Sequence, residues 1–216
     1  MNMQLTVANI ITQSQYLGRS LTQEDASLLA DYLGLLVKWN QRMNLVGPAT
    51  WERILEILIQ DSWHLADVLF DQNIAPEHSL DLGAGAGLPG IPLRIWWPRG
   101  EYLLVEPRQK RALFMEQAIM HMGLSNTMVF QGRMENLPPE KRQAGLIISR
   151  AFKPWRALLA EAKNYLMPQG HIVVMTNDPE PKDVLDGYTL ELIREYTVAQ
   201  KKRYFWLFIL GRKSFS

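Results

Sequence analysis

Apolar residues recur at helical spacing from about Thr22 to Asn44, where Leu29, Leu33, Leu36, Trp39 and Met43 fall on one stripe. Thr22 and Asp25 are spaced to close the first turn of that helix as a capping box. A break at Gly47-Pro48 separates it from a second helical stretch over about Trp51 to Phe70. Residues 1–75 therefore read as a helical unit.

The pattern changes at His78. Short apolar runs at Ser79–Leu82, Tyr102–Val105, Met128–Phe130, Leu146–Ile148 and Ile172–Met175 alternate with helix-like segments, which predicts a parallel sheet with crossover helices. The clearest crossover starts at Pro107, carries Phe114, Met115, Ala118, Ile119 and Met122 on one stripe, and stops at Gly123. Leu190–Val198 and Arg203–Gly211 are extended in character and separated by Ala199-Gln200-Lys201-Lys202, so they read as a terminal antiparallel hairpin. Its second strand is apolar at nearly every position. A strand covered on both faces has that pattern, so it is expected to insert into the sheet. Residues 76–216 are read with this sheet as one compact unit.

Composition narrows the chemistry. The chain has 216 residues, 47% hydrophobic and 21% charged, which is a globular balance. Its longest apolar runs fall well short of the roughly 20 residues that span a bilayer, and its start lacks the basic and apolar regions of a secretory signal. With no cysteine, disulfides, thiolate metal sites and cysteine nucleophiles are absent, in keeping with a cytoplasmic protein. His64, His78, His121 and His171 show no paired ligand spacing, so no metal is expected. A net charge of +1 leaves any nucleic-acid contact to local patches.

The chemistry concentrates in Asp81-Leu82-Gly83-Ala84-Gly85-Ala86-Gly87, a glycine turn between an apolar strand and a segment that Pro89 can open as a helix. A dinucleotide fingerprint would need glycine at position 88, where this chain has Leu88. Asp81 would repel a pyrophosphate but attract the ammonium and sulfonium of S-adenosylmethionine. Glu106 ends the next strand, where a carboxylate can accept hydrogen bonds from both ribose hydroxyls. Gly83, Gly85 and Gly87 with Asp81 and Glu106 thus form a candidate S-adenosylmethionine site. A plain tight turn beside a solvated strand end is the competing reading.

Elimination bears on the acceptor. Lack of cysteine excludes covalent methylation at carbon 5 of a pyrimidine. The place after the fourth strand holds Ser149-Arg150-Ala151-Phe152-Lys153-Pro154 rather than the acidic or amide residue, two prolines and aromatic typical of exocyclic-amine methylation. Guanine N7 carries no proton, so its alkylation needs positioning and no general base. An arginine bonded to guanine O6 would leave N7 free, which makes Arg150 the candidate for positioning; pairing with a carboxylate is its structural alternative. Arg108-Lys110-Arg111, Lys141-Arg142, Lys153-Arg156 and Lys201-Lys202-Arg203 are candidate polyanion contacts or ordinary solvated faces. Trp96 and Trp97 are expected in the core.

Taken together, Asp81 to Pro92 with Val105-Glu106, Lys110-Arg111, Gly132-Arg133-Met134-Glu135 and Ile148-Ser149-Arg150-Ala151-Phe152 resemble the small-subunit (16S) ribosomal RNA guanine-N7 methyltransferase family, also known as glucose-inhibited division protein B. Trp39-Asn40, Asn44-Leu45 and Asp61-Ser62 are similar to that family's helical cap. The resemblance implies a Rossmann-like class I S-adenosylmethionine-dependent methyltransferase fold, with a mostly parallel seven-stranded sheet, an antiparallel C-terminal hairpin and an N-terminal helical cap. It implies cofactor contacts at Gly83 and Leu88, an adenine-side contact from Met134 and Glu135, and Arg150 at the cofactor–substrate junction. It also implies ribosomal RNA as partner, as a naked chain or within the small subunit, for a monomeric protein.

The chain departs from the family pattern in three places. Val46 replaces a threonine, Ile57-Leu58 replaces a basic-histidine pair, and Thr176-Asn177-Asp178 stands where a lysine-glycine is usual. All three bear on target recognition. A methyltransferase of the same descent acting on another RNA or a small molecule, and a cofactor-binding protein without catalysis, remain as alternatives.

Overall fold

The structure is a computed structural model that describes residues 3–150 and 152–211. Helices α1 (Val7–Tyr16) and α2 (Gln23–Met43) come first, and the Thr22 side chain and Asp25 form the expected reciprocal cap on α2. The stretch expected as one helix is divided into α3 (Trp51–Ile54), a π turn (Leu55–Ile59) and α4 (Gln60–Asp71). A π turn is a rare widening of the helix, often found at functional positions.

Strands β1 (His78–Leu82), β2 (Glu101–Glu106), β3 (Thr127–Gln131), β4 (Ala144–Arg150), β5 (Leu166–Thr176), β6 (Tyr188–Val198) and β7 (Lys201–Leu210) form a single sheet in the order β3-β2-β1-β4-β5-β7-β6. Pairs among β1 to β5 are parallel, whereas β7 runs antiparallel to both of its neighbours. The apolar last strand does insert, between β5 and β6. Its hairpin turn is tighter than expected, with only Ala199 and Gln200 between the strands, both in left-handed conformation at φ of 47° and 64°. That geometry matches the twist of the flanking strands, although asparagine and glycine are the residues that usually adopt it.

Helices α5 (Gly90–Trp96), α6 (Gln109–Met122) and α7 (Trp155–Ala162) complete the fold, and α6 ends at a left-handed Gly123 as its sequence indicated. Strand alternation assigns side chains to two faces. Tyr102, Leu104, Leu146, Ile148, Phe205 and Leu207 join the helical cap, α5 and α6 in one core. Leu80, Leu82, Leu103, Val105, Ile147, Trp206 and Phe208 join α7 in the other. Trp96 packs against the cap-side core and Trp97 is buried within it. The same alternation decides where the polar residues go: Asp81, Arg150, Tyr196 and Arg203 all share the cap face.

Candidate cofactor cleft and acceptor cavity

The glycine turn begins where β1 ends. Gly83, Gly85 and Gly87 have φ of 73°, 63° and 76°, in the left-handed region that disfavours side chains. The turn is held from several directions. Gly83 N and Ala84 N donate to Val105 O, while the cap contributes Tyr32 Oη to Ala86 O at 2.8 Å and Ser62 Oγ to Pro89 O at 2.9 Å. Helices distant in sequence thus fix the backbone on which a ligand would lie.

Glu106, only 3% exposed, sits beneath that turn with both oxygens engaged: Gly85 N donates to Oε2 and Arg108 N to Oε1, each at 3.0 Å. Each carboxylate oxygen has a further lone pair for a ligand hydroxyl. Next to it, Val105, Pro107, Gly132, Arg133, Met134, Glu135, Phe152 and Lys153 line a cleft of about 230 Å³. Cavities that hold a whole drug-sized ligand occupy about 300–1,000 Å³, so this one matches one end of a nucleoside ligand. The Phe152 ring closes it towards the turn: a Cβ on Gly83 would lie 2.5 Å from Phe152 Cδ2. Met134 is buried and Glu135 exposed, while Leu88 packs its side chain into the cap-side core.

Asp81 lies on the side of the turn that faces α5. It is 1% exposed, accepts from Tyr102 Oη at 3.3 Å and from the Gly90 amide, and a side chain on Gly90 would overlap it. Burial raises its pKa to about 7, against the lowering effect of the Tyr102 bond and of Arg150. Its bonds tie β1, β2 and the start of α5 together.

A second cavity of about 510 Å³ opens beside the turn at the C-terminal ends of β4 and β5, the side on which such sheets take ligands. Arg150 lies on its wall and donates to Asp61 at 3.1 Å, which is the carboxylate pairing weighed as its structural alternative. The same carboxylate, 2% exposed, accepts two bonds of 2.6 Å from Arg203 and one of 3.0 Å from Tyr196 Oη. Arg203 also donates to Ile57 O in the π turn, at 3.0 Å. One buried anion therefore anchors two guanidiniums on the cavity wall, leaving a net positive charge there. Leu58 and Thr176, Asn177 and Asp178 line the cavity as well, so two of the three departures from the family pattern sit on this wall.

The structure places Glu106, the glycines, Met134, Glu135 and Arg150 together at or just beyond the C-terminal ends of β1 to β4, whereas Tyr32 and the pairing of Asp61 with Arg203 were not anticipated. Arg203 was visible only as part of a basic run. Asp61-Ser62 stood out only through resemblance. Among the described residues no group of three or more histidine, cysteine or acidic side chains is placed to hold a metal, and no helix is long and apolar enough to cross a membrane.

Strand order, glycine turn and acid at the end of β2 define a class I S-adenosylmethionine-dependent methyltransferase fold. Solved structures with that fold include a putative O-methyltransferase from Klebsiella pneumoniae, at a TM-score of 0.59 and 16% identity over 83% of this chain and 90% of that one. A SAM-dependent methyltransferase from Aquifex aeolicus aligns with a TM-score of 0.53 and 15% identity over 73% and 93% of the two chains. The chain belongs to the GidB family, described as rRNA small subunit methyltransferase G, whose model matches residues 25–203. Relatives named ribosomal RNA small subunit methyltransferase G are 46% identical in Nitratidesulfovibrio vulgaris, covering 82% of both chains, and 43% identical in Lawsonia intracellularis, covering 88% of both. The relative of that name in Nitrosococcus oceani is 35% identical over 79% of this chain and 77% of its own.

Proposed function

We propose that the protein transfers a methyl group from S-adenosylmethionine to N7 of a guanine in small-subunit (16S) ribosomal RNA. The observation that carries this reading is the adjacency of two places: a cleft beside Glu106 and a cavity walled by Arg150 and Arg203, which meet at Lys153. Glu106 holds the ribose hydroxyls, while Gly132 to Glu135 and Phe152 enclose the adenine. Gly83 and Gly85 let the sulfur end of the cofactor lie against the backbone. The cofactor supplies a methyl group on a positively charged sulfur that departs as a neutral thioether.

The guanine N7 lone pair forms the new bond, and no proton leaves the base, so the acceptor side has to orient and exclude water rather than deprotonate. Arg150, steadied by Asp61, donates to guanine O6 and leaves N7 directed at the cleft. Arg203 adds positive charge for the RNA backbone on the same wall. The protein acts as a cytoplasmic monomer, with residues 1–75 capping the cofactor unit of residues 76–216.

Incubation with small ribosomal subunits, or with naked ribosomal RNA, and methyl-labelled cofactor tests the reading. Nucleoside mass spectrometry should find 7-methylguanosine in one of the two substrates, and absence of label from both overturns it. Arg150→Ala should lower kcat/KM about ten- to hundredfold, the loss of one charge-assisted hydrogen bond. A parallel and equal loss of folding stability would reduce Arg150 to a structural partner of Asp61.

A further inference from the structure

S-adenosylmethionine ends in an amino acid that carries a carboxylate as well as an ammonium. We propose that Arg111 receives that carboxylate; this rests on the reading of the glycine turn and Glu106 as the cofactor site. Arg111 stands in the first turn of α6, and the start of that helix is locked to the site because Arg108 N donates to Glu106 Oε1. Its side chain is half-buried and reaches back over the turn, where a methyl group on Gly85 would lie 3.6 Å from Arg111 Nη1 and 3.8 Å from Gly83 O. The guanidinium therefore faces the bare side of Gly85.

Two cations of the adjoining cavity are already engaged: Arg150 pairs with Asp61 at 3.1 Å and Lys153 with Glu161 at 2.5 Å. Among the described residues, no carboxylate lies within ion-pair distance of Arg111. A half-buried guanidinium without an anion is unfavourable, and a ligand carboxylate relieves that cost. Reach agrees with charge. Glu106 holds the ribose and is itself bonded to Gly85, so a ligand continuing from the ribose towards the acceptor cavity passes along the turn beside Arg111. Glu106 for the ribose and Arg111 for the carboxylate thus stand at the same turn.

Calorimetry on the full-length protein separates this from the alternatives. S-adenosylmethionine and S-adenosylhomocysteine carry the amino-acid end, whereas 5′-methylthioadenosine lacks it. Arg111→Gln should weaken the first two about ten- to hundredfold and leave the third unchanged. Arg111→Lys, which keeps charge and stem if the glutamine variant fails to fold, should show a smaller loss with the same selectivity. Equal loss of all three ligands, or of none, overturns the assignment. Loss of none together with a raised KM for ribosomal subunits would transfer Arg111 to RNA phosphate. Failure of the unaltered protein to bind any of the three would instead overturn the cofactor site itself.

Discussion

Asp61→Ala would leave Arg150 and Arg203 converging on an empty place. The carboxylate is 2% exposed and the two guanidiniums 28% and 18%, so most of the network lies out of water. Removing one partner of a buried ion pair costs about 3–5 kcal/mol, because the charge left behind keeps its desolvation penalty. Both arginines retain some solvent contact and can rehydrate, which places the expected loss near the lower end, about 3 kcal/mol. For a chain of this size each kcal/mol is worth about 2–4 °C, which predicts a fall in Tm of roughly 6–12 °C. Urea unfolding followed by the fluorescence of the seven tryptophans would measure it. Asp61→Asn, which still accepts from Tyr196, should lose less. In a double-mutant cycle, Asp61→Ala and Arg203→Ala should couple by about 1 kcal/mol or more. A loss below about 1 kcal/mol, or additive single losses, would refute the view that one carboxylate anchors both arginines.

Three further outcomes follow from the glycine turn and the carboxylates on either side of it. Glu106→Ala should weaken S-adenosylmethionine binding about tenfold to hundredfold by calorimetry, and unchanged affinity would count against Glu106 as the ribose acceptor. Gly83→Ala forces a side chain into a φ of 73° and against Phe152, and should cost about 1–2 kcal/mol from the backbone alone, read by denaturation. Asp81 has a folded-state pKa of about 7 against an ordinary 3.8, raised by burial, so its contribution to stability is complete below 3.8 and is lost as pH rises through about 7. Asp81→Asn should therefore gain on the unaltered protein across that interval in pH-dependent unfolding, and parallel curves would refute the buried-acid assignment.

Much of the fold was legible because its signals are local. The stripe of Leu29, Leu33 and Leu36, the Thr22–Asp25 cap, and the proline and glycine bracketing α6 are all written within a few residues of each other. The covered character of Arg203–Gly211 gave the inserted strand. The turn at Ala199-Gln200 was not legible, since neither residue carries the usual preference for left-handed backbone, and register with β6 decides it. The site divides the same way. Glu106 and the glycines declare themselves by position after strands. Asp61 meets Arg203 only through sheet topology and the cap, across 142 positions of sequence. Tyr32 looks like any core aromatic until its hydroxyl is seen to reach Ala86.

The interior place of β7 has a consequence for biosynthesis. A chain emerging from the ribosome can pair β1 to β5 in succession, yet β5 keeps an open edge, and β6 has no partner in the sheet, until Lys201–Leu210 has been made. Arg203 arrives with that same segment. Closure of the sheet and completion of the Arg150–Asp61–Arg203 cluster are thus one late event of synthesis, and a nascent or truncated chain ending before β7 would display the glycine turn without that cluster.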